Sequence, residues 1–222
     1  MQLDELQNYG LIWIILRIFS SRFSNLRTDL QIYVISNISK AFILSSLIVY
    51  FFPVIKTIIY DDWPDTFWKN TAMIYASTDL VSLLVVRRNK LSTIIHHISV
   101  VASCLICICV GNFQTDYLWK ALILYGLFSA LACGANLFLG MRFLVEKNSI
   151  MMMILNYSVM LCYIMCCFFN WSIQTYYLMY YIPVSILSIL YMCCVFFFVK
   201  DDLLLIKFQM MYYFNNNQIK ND

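Results

Sequence analysis

The chain has 222 residues, of which 62% are hydrophobic and only 12% charged, with a mean hydropathy of +0.75 and a formal net charge of +3. Soluble domains carry about 25% charged residues, so a water-soluble globule is excluded. The small net charge, with no basic run interleaved with aromatics, excludes a nucleic-acid binder. The expected class is all-α: a polytopic bundle of transmembrane helices.

Residues 1–30 begin with Asp4 and Glu5 and contain a short apolar run, Leu11–Phe19, interrupted by Arg17. About 20 apolar residues are needed to cross a bilayer, so this run predicts an amphipathic helix lying in the interface. The acidic start and the lack of a small-residue cleavage site argue against a signal peptide. Residues 31–212 form the transmembrane domain. Six spans are expected there: Gln31–Ile55, Trp68–Val86, Leu91–Val110, Tyr117–Leu139, Ile150–Phe169 and Tyr176–Val199. Pro183 removes a backbone donor inside the last span and predicts a kink. Residues 213–222 include Asn215-Asn216-Asn217-Gln218 and are expected to be a disordered polar tail. The nine cysteines all fall in apolar stretches and read as small buried hydrophobes, not as a disulfide framework.

The basic residues set an orientation. Arg17, Arg22, Arg27, Arg87, Arg88, Lys90, Arg142, Lys147, Lys200, Lys207 and Lys220 fall on one side. Lys56, Lys69 and Lys120 fall on the other, with Asp61, Asp62, Asp65 and Asp116. Both termini are therefore expected in the cytoplasm. With that orientation, Lys40, Asp79, His96, His97, Asn136 and Asn156 share one layer in the cytoplasmic half of the membrane, at 1.5 Å of rise per residue. Ionisable groups at that depth are costly and mark functional interiors.

His96 and His97 are the only histidines. Ser92, His96, Ser99 and Ser103 form one polar stripe, whereas His97 is rotated by about 100°, so the two rings are expected to diverge and to make a poor pair for one metal ion. The site expected from the residues is a histidine acting as base or nucleophile, tuned by Asp79. The competing expectation is a structural network in which Lys40 or a histidine neutralises Asp79. Gly126, Ser129, Cys133, Asn136 and Gly140 form a small-residue stripe suited to close helix packing.

The stretch from Thr71 to about Leu144 resembles the TLC-domain family, the polytopic membrane proteins that include the ceramide synthases. The matching elements are Ile74-Tyr-Ala-Ser-Thr-Asp79, the basic loop Arg87-Arg88-Asn-Lys90, Ser92-Thr93-Ile-Ile-His96-His97, and Asn136-Leu-Phe-Leu-Gly-Met-Arg142. The resemblance implies a lipid-accessible cavity at the endoplasmic reticulum or a related endomembrane. It also implies acyl transfer at the residues matching His96 and His97, with Asp79 beside them as a catalytic group. Lys40, Asn136, Asn156, Arg87 and Arg88 are the expected substrate-binding groups, and acyl-CoA is the implied co-substrate, its phosphates drawn to the basic rim. No resident cofactor or metal is expected. The chain departs from the synthases in having no Asp or Glu between Asp116 and Glu146, where they carry an acid pair. Relatives without the pair handle or sense lipid, which is the function implied here. The alternative is a non-catalytic packing subunit with membrane-protein partners.

Overall fold

The computed structural model of the chain describes residues 10–86, 91–147 and 149–218. Within these, every regular element is helical. The α-helices, in order, are α1 (Gly10–Phe19), α2 (Ser21–Ser24), α3 (Thr28–Leu47), α4 (Phe51–Tyr60), α5 (Asp65–Val85) and α6 (Leu91–Val110), followed by α7 (Tyr117–Leu131), α8 (Gly134–Met141), α9 (Ile150–Tyr180) and α10 (Ile186–Gln218). Three of them, α3, α6 and α9, are long and apolar enough to cross a membrane, and α7 with α8, bent by 42°, makes a fourth if the pair is one span. This is the architecture of an integral membrane protein.

The arrangement follows from where each helix is apolar. Helix α7 is apolar on every side and sits in the middle, with Leu118 through Tyr125 all buried, as expected for a helix surrounded by others. Helix α5 buries a polar face instead: Thr71, Thr78, Asp79 and Ser82 are shielded along with Trp68 and Tyr75. It packs chiefly on α6, while α3 packs on α8, and α9 on α7 and α10. A satisfied polar lock joins the centre: Gln174 on α9 donates to the Ala121 carbonyl and to Asn170 Oδ1, both at 3.1 Å, and accepts from the Tyr191 hydroxyl at 2.6 Å. Helix α1 lays Ile12, Trp13 and Leu16 on a smaller cluster around Phe23 and Ile35, and exposes Ile14, Ile15 and Ile18.

Several expectations need correction. The stretch expected as one span from Gln31 to Ile55 is α3, a 3-10 turn (Ile48–Tyr50) and α4. Helix α9 continues past Phe169 to Tyr180, and the chain leaves the helix at 181–185 where a kinked span from Tyr176 was expected. The cause is local. Pro183 lacks the N–H that a helix needs, and Ser185 then caps the next helix, its Oγ accepting from Ser188 N at 3.1 Å while Ser188 Oγ accepts from Ser185 N at 2.7 Å. At the other end, Asn215–Gln218 continue α10 where a disordered tail was expected.

The end of the bundle bearing Asp61 is closed by its own charge lock. Lys120 is only 1% exposed, donates to Asp61 Oδ1 at 2.7 Å and lies over the rings of Tyr117 and Trp63. The Lys120 hydrogen bond holds the Asp61 carboxyl below the usual carboxylate range. Asp61 itself takes the left-handed conformation, φ 50°, which Asp tolerates better than most residues.

Candidate functional site

At the opposite end, where α8 turns into α9, the helices part around an open cavity of about 590 Å³. Its walls come from α3 and from α5 through α10. Lys40, His96, His97 and Asn136 all line it, so four of the expected site residues meet in one place. The bend between α7 and α8 helps form it: Ala132, Ala135, Asn136 and Leu139 turn along the wall.

Asp79 stands behind the wall, with no exposed surface. Its Oδ1 accepts from Lys40 Nζ and lies 3.0 Å from His97 Nδ1. Its Oδ2 is buried without a partner. Lys40 is shielded to 13% exposure of its side chain and His97 to 10%. This trio is a compact charge cluster drawn from α3, α5 and α6, the arrangement expected of ionisable groups inside a membrane protein. The carboxylate itself is fully enclosed, so Asp79 meets the cavity only through Lys40 and His97.

The second histidine has a partner that the sequence did not single out. His96 Nδ1 lies 3.4 Å from Asp201 Oδ2 on α10, and its ring packs 4.9 Å from that of Phe198, three residues before Asp201. Neither imidazole makes an aligned hydrogen bond through Nδ1. The next residue, Asp202, is buried and accepts from the Tyr163 hydroxyl at 2.6 Å and from Trp171 Nε1 at 3.2 Å, both on α9. Asp201, Asp202 and Tyr163 line the same cavity. Two adjacent carboxylates of the last helix, Asp201 and Asp202, thus reach the cavity. They were hidden because they follow the apolar run ending at Val199, where the span was expected to stop. The signal was the continued apolar pattern Leu203-Leu204-Leu205-Ile206, which carries α10 onward as a helix.

The rings also lie closer than expected. One ligand atom from each of Asp79, His96 and His97 fits within 4.8 Å of the others, although the ring planes cross at 85°. The expected divergence of the pair is therefore corrected: the rings turn different edges toward one shared space. The Lys40 ammonium already lies on Asp79 Oδ1, the oxygen facing His97, so a metal ion held by this trio would have to compete with a resident cation.

Asn156 is not brought to the cavity. It is buried between α9 and α10, where its Nδ2 donates to the Gln209 carbonyl at 3.2 Å, a helix-to-helix tie. Arg87 and Arg88 lie outside the described residues. Arg142, by contrast, lines the cavity.

No protein-family model, curated protein or solved structure matches this chain.

Proposed function

We propose that this protein is a multi-pass membrane protein of TLC type that binds lipid in the cavity beside His96 and His97 and transfers an acyl group there. The observation that carries this reading is the convergence of Lys40, His96, His97 and Asn136 on one cavity, with a carboxylate placed against each imidazole. Six spans fit it best. Helix α5 counts as a span because its polar face is buried against neighbours, and α10 as another because its 33 residues are long enough to cross and both Ile186–Val199 and Leu203–Ile206 are apolar. The interfacial role of α1, with the cavity and both termini on the cytoplasmic face of an endoplasmic-reticulum-type membrane, completes the reading.

His96 is the reacting imidazole. It faces the cavity against Asp201, whereas His97 is held in the Asp79–Lys40 cluster. An acceptor hydroxyl or amine gives its proton to His96 as its oxygen or nitrogen attacks the carbonyl carbon of an acyl thioester. The carbon–sulfur bond then breaks, and the thiolate takes that proton from His96 to leave as a thiol. Asp201 orients His96 and balances its charge while it is protonated. Asn136 is a cavity amide able to donate to the developing oxyanion.

The test is lipid analysis of cells making the wild-type chain or His96→Ala. Loss of one acylated lipid class with His96→Ala supports the reading, and unchanged composition removes the catalytic part. The second reading, a packing subunit, is favoured by one observation, the closed Lys40–Asp79–His97 cluster. It predicts stoichiometric copurifying partners whose retention fails with Asp79→Ala.

A further inference from the structure

The cavity holds one cation with a carboxylate and two without. Lys40 has Asp79. Arg142 and Lys207 line the same cavity, and among the described residues neither forms a salt bridge. The two acids of the cavity wall are engaged elsewhere, Asp201 with His96 and Asp202 with Tyr163 and Trp171. Lys207 also lies about 9 Å further along α10 than Asp201, at 1.5 Å per residue.

Arg142 is held in place by the chain around it. Gly140, two residues before it, presses α8 onto α3 so closely that a Cβ there would meet Ile38 Cγ1 at 2.7 Å and the Val34 carbonyl oxygen at 3.2 Å. That approach brings Arg142 to Tyr33. The guanidinium carbon lies 5.7 Å from the Tyr33 ring centroid and 4.8 Å from those of Phe143 and Phe208. These three rings come from α3, from the turn after α8 and from α10.

Rings stack on the faces of a guanidinium, while its five N–H groups point outward in its plane. Of these the structure uses one, a long bond from Nη2 to the Tyr33 hydroxyl at 3.4 Å. Nε is buried with no partner at all. A caged, uncompensated arginine with unused in-plane donors is preorganised for a planar fork of anionic oxygens.

We propose that Arg142 and Lys207 hold the phosphate of an amphiphile whose chain lies along Leu139, Leu204 and Leu205. A carboxylate would be saturated by the arginine fork alone. A phosphate keeps a third oxygen free for an ammonium from another wall, which Lys207 supplies. The leucines lining the same cavity offer the chain an apolar wall. This inference rests on the reading of the cavity as a lipid site, and it adds the head group. The phosphate could belong to a lipid or to a soluble carrier, and the experiment separates the two.

The experiment uses the full chain, delipidated in a nonionic detergent, with native mass spectrometry counting bound molecules. The probes are phosphatidic acid, the diacylglycerol with the same chains, and inorganic phosphate. Wild type is expected to retain phosphatidic acid at least tenfold better than diacylglycerol. Arg142→Gln should weaken phosphatidic acid by about tenfold to a hundredfold, the range of a lost charge-assisted pair. Lys207→Gln should weaken it several-fold, and Arg142→Lys should restore part of the loss. Diacylglycerol binding should be the same in all four proteins, which also shows that the variants fold. Equal binding of the two lipids to wild type, or an unchanged Arg142→Gln, overturns the phosphate site and leaves the lipid cavity standing. Binding of neither lipid overturns both. Inorganic phosphate that competes at equal concentration supports the anion site and overturns the lipid tail as its anchor, pointing to a soluble phosphate carrier.

Discussion

Removing Lys40 tests whether the Asp79 cluster holds the bundle together. Asp79 has no exposed surface, so its carboxylate cannot reach water once the ammonium is gone. Breaking a buried pair in this way costs about 3–5 kcal/mol. His97 Nδ1 stays beside the carboxylate, 3.0 Å from Asp79 Oδ1, so Lys40→Met should fall near the low end, about 3 kcal/mol. The reverse change is milder. Lys40 lines the cavity and keeps 13% of its side chain exposed, so in Asp79→Asn its ammonium can turn toward water, at a cost of about 1–2 kcal/mol. The double variant leaves no stranded charge. It should resemble Asp79→Asn, giving a coupling of about 3 kcal/mol. For a chain of this size about 1 kcal/mol moves the midpoint by roughly 2–4 °C, so Lys40→Met should melt roughly 6–12 °C lower and the double variant should recover about half of that. Thermal unfolding in one mild detergent, followed by tryptophan emission, measures all four proteins. Additive losses, or a Lys40→Met midpoint within a degree of wild type, would refute the reasoning.

Three further outcomes follow from single contacts. Gly140→Ala should cost about 1–3 kcal/mol by forcing α8 off α3, because its Cβ meets Ile38 at 2.7 Å; Gly126→Ala, whose Cβ has nothing nearer than the Tyr75 ring at 3.9 Å, should be neutral or stabilising by up to about 1 kcal/mol. A pair of melting curves decides it. Asp202→Ala strands the Tyr163 hydroxyl and Trp171 Nε1 and should cost about 1–3 kcal/mol for each, while Asp202→Asn keeps an acceptor and should cost clearly less; equal losses would contradict the hydrogen-bond account. The Asp61 carboxyl has a depressed pKa in the folded state, held by Lys120. Its contribution is therefore present above the unfolded value of about 3.9 and lost as pH falls through the folded value. Asp61→Asn should flatten the fall in midpoint below about pH 4, and a curve parallel to wild type would remove this pair as the cause.

The sequence made some elements legible and concealed others for identifiable reasons. Helix α6 runs from Leu91 to Val110 as its apolar run indicates, because the polar stripe on it is too narrow to interrupt that run. The shared layer of Lys40, His96, His97 and Asn136 was readable from depth alone, since each lies on a helix whose ends are marked by charge. Asn156 lies at a similar depth but turns toward Gln209, because depth carries no information about which way a helix faces. The break at 181–185 was signalled by Pro183 followed by Ser185, a stop and then a cap, but a proline inside an apolar run is equally consistent with a kink. Asp201 and Asp202 could not be placed by hydropathy, since a window that ends a span at its first charges discards the residues just beyond. The cage around Arg142 needed the fold, because Tyr33, Phe143 and Phe208 are scattered through the chain.

The Lys40–Asp79 contact also bears on how the chain is made. Either charge alone at the centre of a helix costs about 2.5–3.5 kcal/mol to insert, and α5 carries Asp79 on a helix that is not apolar enough to qualify as a span by itself. Helix α3 leaves the ribosome first, with α4 between it and its partner. In the six-span reading, α3 must wait beside the translocon with its lysine unneutralised until α5 emerges, and the two enter the bilayer as a pair. Lys40→Ala would then register first as α5 left on the wrong side of the membrane during synthesis, before any effect on the finished protein.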